Sequence, residues 1–170
     1  MTDTAQSATA TELRRVELLQ FPLQLYRLAS EHHEDLMREL ALIALHPVAS
    51  GEHSVPSRLI ALIEELDAQY APAVSAADQQ RDVALERGDV EIDLRYLVPA
   101  EARAASVRLG EMLGEAEKYC RSGEHLLTLA TPPAAVAFRR WYLGQFVDQI
   151  DVAPPTPWPV YAQRHGGINR

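Results

Sequence analysis

Lysine, cysteine and long apolar runs are what this sequence lacks. A single lysine, Lys118, stands against 15 arginines in 170 residues. With abundant alanine, that bias is what a GC-rich genome tends to write, and it carries no functional information. The one cysteine, Cys120, permits no internal disulfide and points to a reducing compartment. Positive charge is also short: 16 basic against 24 acidic side chains leave a net charge of −8. A surface that is acidic on average does not neutralise phosphates, which excludes a free-standing nucleic-acid binder. The longest uncharged apolar stretches, Leu40–Val48 and Leu126–Phe138, fall well short of the ~20 residues that span a bilayer, and each contains proline. The N-terminal residues, MTDTAQSATATE, carry neither a basic region nor an apolar one, so no secretory signal is expected. A soluble cytoplasmic protein without membrane contact follows. Chemistry is missing from the motifs too. There is no Gly-x-Ser-x-Gly elbow, no phosphate loop and no dinucleotide fingerprint.

What is present builds a core. At 47% apolar the chain is a folded one, and its length suits one domain. Residues 1–8 are small and polar and read as a disordered terminus. Residues 9–151 form the domain. Residues 152–170 form a proline-rich tail in which Pro154, Pro155, Pro157 and Pro159 remove amide donors, so no helix is expected there.

Between these ends, helical stripes dominate. A first long helix begins at Pro22, where a missing amide is harmless, and ends before Pro47. Leu25, Ala29, His32, Leu36, Leu40 and Ile43 are its inward face. A second helix, Ser57–Tyr70, carries Leu59, Leu62, Ile63, Leu66 and Tyr70, and Pro72 ends or kinks it. Ser75 with Asp78 resembles a capping box that restarts a weaker helix, closed by Gly88. Asp89–Val98 alternates apolar and charged residues and is the best strand; Leu126–Ala130 reads as a shorter one. Pro99 opens a helix with Ala102, Ala105, Leu109, Met112, Ala116 and Cys120 on one face, closed by Gly123. Pro132 and Pro133 open the last, with Val136, Leu143, Val147 and Ile150. Val16–Phe21 is open between a helix capped by Thr9 and Glu12 and a strand. The expected fold is mainly α, one helical domain of four to five helices with two or three short strands; α+β is the alternative.

Two clusters invite chemistry. In Glu31-His32-His33-Glu34-Asp35, neighbouring helix residues point ~100° apart, so His32 and His33 cannot share an ion from a regular helix. Positions three and four residues away hold Ala29, Ser30, Leu36 and Met37, not carboxylates, and no metal or other cofactor is expected. A metal site would need His46, His53 or His125 from other segments. His32 reads as a neutral core imidazole bonded to a neighbour, beside a solvated face of Glu31, Glu34 and Asp35. His33, next to Glu34, is the alternative phospho-acceptor of a histidine phosphotransfer module. Cys120 sits on an apolar stripe and is no nucleophile. Asp89, Glu91 and Asp93 share one wet strand face. The second cluster, Phe138-Arg139-Arg140-Trp141-Tyr142, makes the last helix apolar on two sides, either buried or facing a partner. Arg139, Arg140, Trp141 and Tyr142, with Trp158 from the tail, are the residue types of interface hot spots and form the candidate interaction surface. The same helix could pair with itself in a two-fold homodimer.

Several of these runs resemble a known group. Glu91–Glu101, Arg108-Leu-Gly-Glu-Met-Leu, Leu127-Thr-Leu-Ala-Thr-Pro-Pro and Phe138-Arg-Arg-Trp-Tyr-Leu-Gly are similar to small proteins of high-GC bacteria associated with anti-sigma-factor kinases and their antagonists. Glu31-His32-His33, Leu36 and Arg38-Glu39 resemble the same group. The resemblance spans roughly residues 13–160 and implies a partner-switch regulator; it supplies no catalytic residues. The expected function is therefore a non-enzymatic regulatory or sensory protein that binds another protein, and the partner the resemblance implies is an anti-sigma-type regulator. A phosphotransfer module using His33 and a helical sensor enclosing a small ligand or metal are the alternatives.

Overall fold

A computed structural model describes residues 12–44, 55–121 and 131–165. Its order is β1 (Leu13–Pro22), α1 (Leu23–Ala44), α2 (Val55–Arg87), β2 (Glu91–Pro99), α3 (Ala102–Arg121), α4 (Pro133–Ile150) and α5 (Trp158–Arg164). The fold is mainly α, five helices with one two-stranded antiparallel sheet. None of the described helices is long and apolar enough to cross a membrane. The residues 1–8, the expected strand Leu126–Ala130 and His46, His53 and His125 lie outside the described residues.

Val16–Phe21 is a strand. Val16 and Leu18 face the helices, and Leu94, Tyr96 and Val98 do the same from β2. Strict alternation would next bury Gln20, but the register shifts between Leu18 and Phe21 and seats Phe21 inside instead. One extra residue resets the parity of a strand. Gln20 takes a φ of 51°, its amide donates to Asp93 Oδ1 at 2.8 Å, and its side chain donates to Glu91 Oε1 at 3.3 Å. Asp93 and Glu91 thus hold the bulge. On the outer edge of β1, Glu17 N–H donates to Gln149 Oε1 at 2.9 Å, and Gln149 Nε2 donates to Glu17 C=O at 2.8 Å.

The four long helices alternate in direction. Arg81 of α2 lies over the Tyr26 ring of α1, while Leu40 and Leu59 share a cluster at the other end. Arg58 meets Glu115 and Glu65 meets Arg108, so α2 and α3 are antiparallel. Arg103–Asp151, Gly110–Leu143 and Glu117–Arg139 pair α3 with α4 in the same sense. The ends follow the sequence signals where a backbone need is met. Gly88, at φ +77°, closes α2 with Gly88 N–H to Leu85 C=O and Asp89 N–H to Ala84 C=O. After α4 the same pair of bonds is made by Val152 and Ala153, and Val152 adopts φ 71° despite its branched side chain.

Three expectations are corrected. Pro72 does not end its helix: α2 continues to Arg87, because Pro72 lies on the exposed side and buried residues flank it as Leu59, Leu62, Ala77 and Ala84. Ser75 is no cap; its hydroxyl donates to the Pro72 carbonyl at 3.3 Å. The tail is not helix-free. Pro157 caps α5 and Pro159 falls in its first turn, where a lost amide costs nothing, and Trp158 and Ala162 enter the core. Trp141 Nε1 donates to Thr156 C=O and Thr156 N–H to the buried Gln145 side chain, each at 2.8 Å, which fastens the tail to α4.

Candidate functional site

The buried apolar residues form two clusters. One gathers the sheet, α4 and α5 around Phe21, Tyr96, Phe138, Trp141 and Trp158. The other joins Leu36, Leu40, Leu59, Leu113 and Ala116 near the far ends of α1 and α2. Between them lies a cavity of about 820 Å³. It is bounded by Leu36, Leu113, Leu109 and Leu143 on one side and by Val98, Ala102, Phe138 and Phe146 on the other. Small side chains at inward positions leave the space open: Ala29, Ala105, Ser106 and Ala135 stand where larger residues would close it. Exposed Asp67, Ala71, Ser75 and Gln79, four residues apart on α2, form its rim. Open to solvent along that rim, it is no enclosed void. The space is therefore one for solvent or for a ligand.

Two polar groups face this cavity. At the sheet end, Arg81 bonds Asp78 at 2.6 Å and Asp82 at 3.0 Å, and its guanidinium stacks 4.5 Å from the Tyr26 centroid. Burial works against its charge, yet Tyr26 and both aspartates outweigh burial and its pKa is raised. Beside it, burial raises the pKa of Tyr142 to about 12 and drives that of Tyr96 higher still. Tyr96 Oη, fully buried, has no partner of good hydrogen-bond geometry, although the Tyr142 hydroxyl approaches it.

The other polar group lies some two helical turns along α1. His32 Nε2 bonds Thr131 Oγ1 at 3.0 Å, so the expected bond to a neighbour is made, but the ring is half-buried at the cavity wall rather than in the core. Glu31, Glu34 and Asp35 are exposed, as expected. His33 lines the cavity, and neither of its ring nitrogens has a hydrogen-bond partner among the described residues. Burial lowers its pKa first and the nearby Arg139 charge second, against the opposing carboxylates of Asp67 and Glu34. The imidazole is thus neutral at pH 7. Among the described residues Arg139 pairs with one carboxylate, Glu117 Oε2 at 3.2 Å. Burial lowers the guanidinium pKa in spite of that partner, and Arg140 adds to the effect. Among the described residues no group of three or more His, Cys, Asp and Glu could hold a metal ion.

The five residues of the expected interaction surface do not form one. Trp141 is 0% exposed and Trp158 4% exposed, their rings 5.5 Å apart in the core. Tyr142 is half-buried against Phe21, Phe138 and Phe146, and Arg139 points to the cavity. Only Arg140 is exposed. The aromatic side of α4 was available to a partner in the sequence, but β1 and α5 cover it. His33 faces the cavity half-buried rather than standing on an open helix face. Sequence reasoning missed Arg81, Asp78, Asp67, Glu117 and Ser106 as cavity or cavity-supporting residues. The one signal was the small side chains at inward helical positions. No family model matches this chain, and neither the curated proteins nor the solved structures compared with it contain a match.

Proposed function

We propose that this protein is a binding module that senses a small molecule in the cavity between α1, α2, α3 and α4. The observation that carries the reading is the split core: two well-packed clusters separated by a largely apolar space with a few convergent polar groups, the usual make-up of a small-molecule site. Two features favour sensing as the use of that site. A ligand seated there touches all four long helices, including α4, which anchors both β1 and the C-terminal segment. Occupancy can therefore reach the sheet and tail through direct packing. The resemblance to proteins associated with anti-sigma-factor kinases suggests that a protein partner reads the outcome.

Histidine phosphotransfer is less well supported. A donor or receiver domain must reach the imidazole in line, and His33 is half-buried against Arg139 and Asp67.

Native mass spectrometry of the full chain purified from its own cells tests the reading. The expected result is an adduct of a few hundred daltons that is lost on denaturation and absent from Ala105→Phe, which fills the cavity from α3. A folded wild-type chain that carries no adduct and binds no apolar fluorescent dye would overturn it.

A further inference from the structure

The two polar ends of the cavity differ in what they leave unsatisfied, and that difference selects a ligand chemistry. The inference rests on the reading that the cavity binds a small molecule. Arg81 is saturated, with two carboxylates and an aromatic face around one guanidinium. Arg139 is not: its terminal nitrogen meets Glu117 at 3.2 Å, and the rest of its donor fork has no other ion-pair partner among the described residues. His33 stands beside it with no hydrogen bond among those residues. Aliphatic wall continues from this pair along Leu36, Leu66, Leu109 and Leu143.

The geometry points to an aliphatic carboxylic acid as the ligand, its carboxylate seated between Arg139 and His33 and its chain lying along Leu36, Leu109 and Leu143. A guanidinium fork matches a planar carboxylate with two parallel hydrogen bonds. A phosphate dianion fits less well, because the single cation is already shared with Glu117 and Asp67 lies close to His33. An ammonium head would place a second cation beside Arg139, and the carboxylates that face His33, Asp67 and Glu34, are exposed and solvent-screened. The groups around His33 are His32 and Glu34 on α1, Asp67 on α2 and Arg139 on α4, with Glu117 of α3 behind Arg139. A carboxylate arriving among them favours the protonated imidazole, so binding is coupled to proton uptake and tightens as pH falls.

Isothermal titration of the full chain at pH 7 with decanoate, decanol and decylammonium, each below its micellar concentration, tests the assignment. Decanoate is expected to bind about tenfold or more tighter than decanol, the worth of a hydrogen-bonded charge pair. Arg139→Gln should bring decanoate to the level of decanol and leave decanol unchanged. If that variant fails to melt cooperatively, Arg139→Lys carries the test, with an intermediate loss expected because the fork is gone but the charge remains. The His33 imidazole resonances should report a raised pKa in the decanoate complex. Decanol equal to decanoate, or decylammonium tightest of the three, overturns the carboxylate assignment and leaves the cavity reading standing. If none of the three binds and Ala105→Phe changes nothing, the assignment and the reading beneath it both fail.

Discussion

Arg81 and Arg139 make an instructive pair. Both face one cavity, Arg81 from α2 and Arg139 from α4, and their side chains are similarly buried, at 14% and 20% exposed. Burial opposes the charge of each. Yet the pKa of Arg81 is raised and that of Arg139 is lowered. The number of partners decides the sign. Asp78, Asp82 and Tyr26 surround the first, whereas among the described residues Glu117 alone pairs with the second. A saturated cation ties its neighbours together; one at a similar depth with fewer partners keeps donors free, and the carboxylate proposal starts from that difference.

Breaking the saturated side has the largest expected effect. Arg81→Ala leaves Asp78 and Asp82 without their cation and bares the Tyr26 ring, and should lower stability by roughly 2 kcal/mol, since the aspartates are partly solvated. Urea unfolding checks this, and a loss no larger than that of an exposed arginine would dissolve the contrast. Glu117→Gln sharpens the other side. It should cost about 1 kcal/mol, kept small because the glutamine Oε1 still accepts from the guanidinium, and, by removing the competing carboxylate, raise affinity for a carboxylate ligand several-fold in titration calorimetry.

The smallest effect is the pH dependence of His33. Its pKa is lowered in the folded chain from the ordinary 6.5. Above 6.5 both folded and unfolded imidazoles are neutral and no stability depends on the group. As pH falls below 6.5 the unfolded chain binds the proton first, so stability declines across the window down to the folded value. His33→Gln should flatten that part of the wild-type curve in melting temperatures taken between pH 7 and 5; an unchanged slope would show that His33 is not desolvated.

Much of the scaffold was legible because single residues impose backbone rules. Pro22 and Pro133 mark helix starts, Gly88 supplies the positive φ that closes α2, and alternation from Ile92 to Val98 marks β2. Where tertiary packing overrides a local rule, the sequence reads wrongly. Pro72 costs its helix one hydrogen bond, but the buried faces on either side hold the helix together. Val90 continues the apolar alternation of β2 and yet is 74% exposed, one residue beyond the paired register. Trp141 and Trp158 read as a surface because burial by residues 15 or more positions away leaves no local trace. The cavity was the least legible. Ala105 and Ser106 continue a helical stripe whether the space beside them is filled or empty, and the Glu117–Arg139 pair joins residues on different helices.

The amide of Gln149 has a consequence for the company this molecule keeps. It satisfies both main-chain groups of Glu17 on the outward side of β1, as a neighbouring strand would. On β2, Gln80 Nε2 reaches the Asp93 carbonyl at 3.2 Å. A sheet of two strands has nothing but borders, and open borders recruit extended chains from other molecules into ribbons and fibrils. Here a glutamine side chain blocks each ribbon border at one rung, so growth of the sheet from copy to copy would first have to evict it.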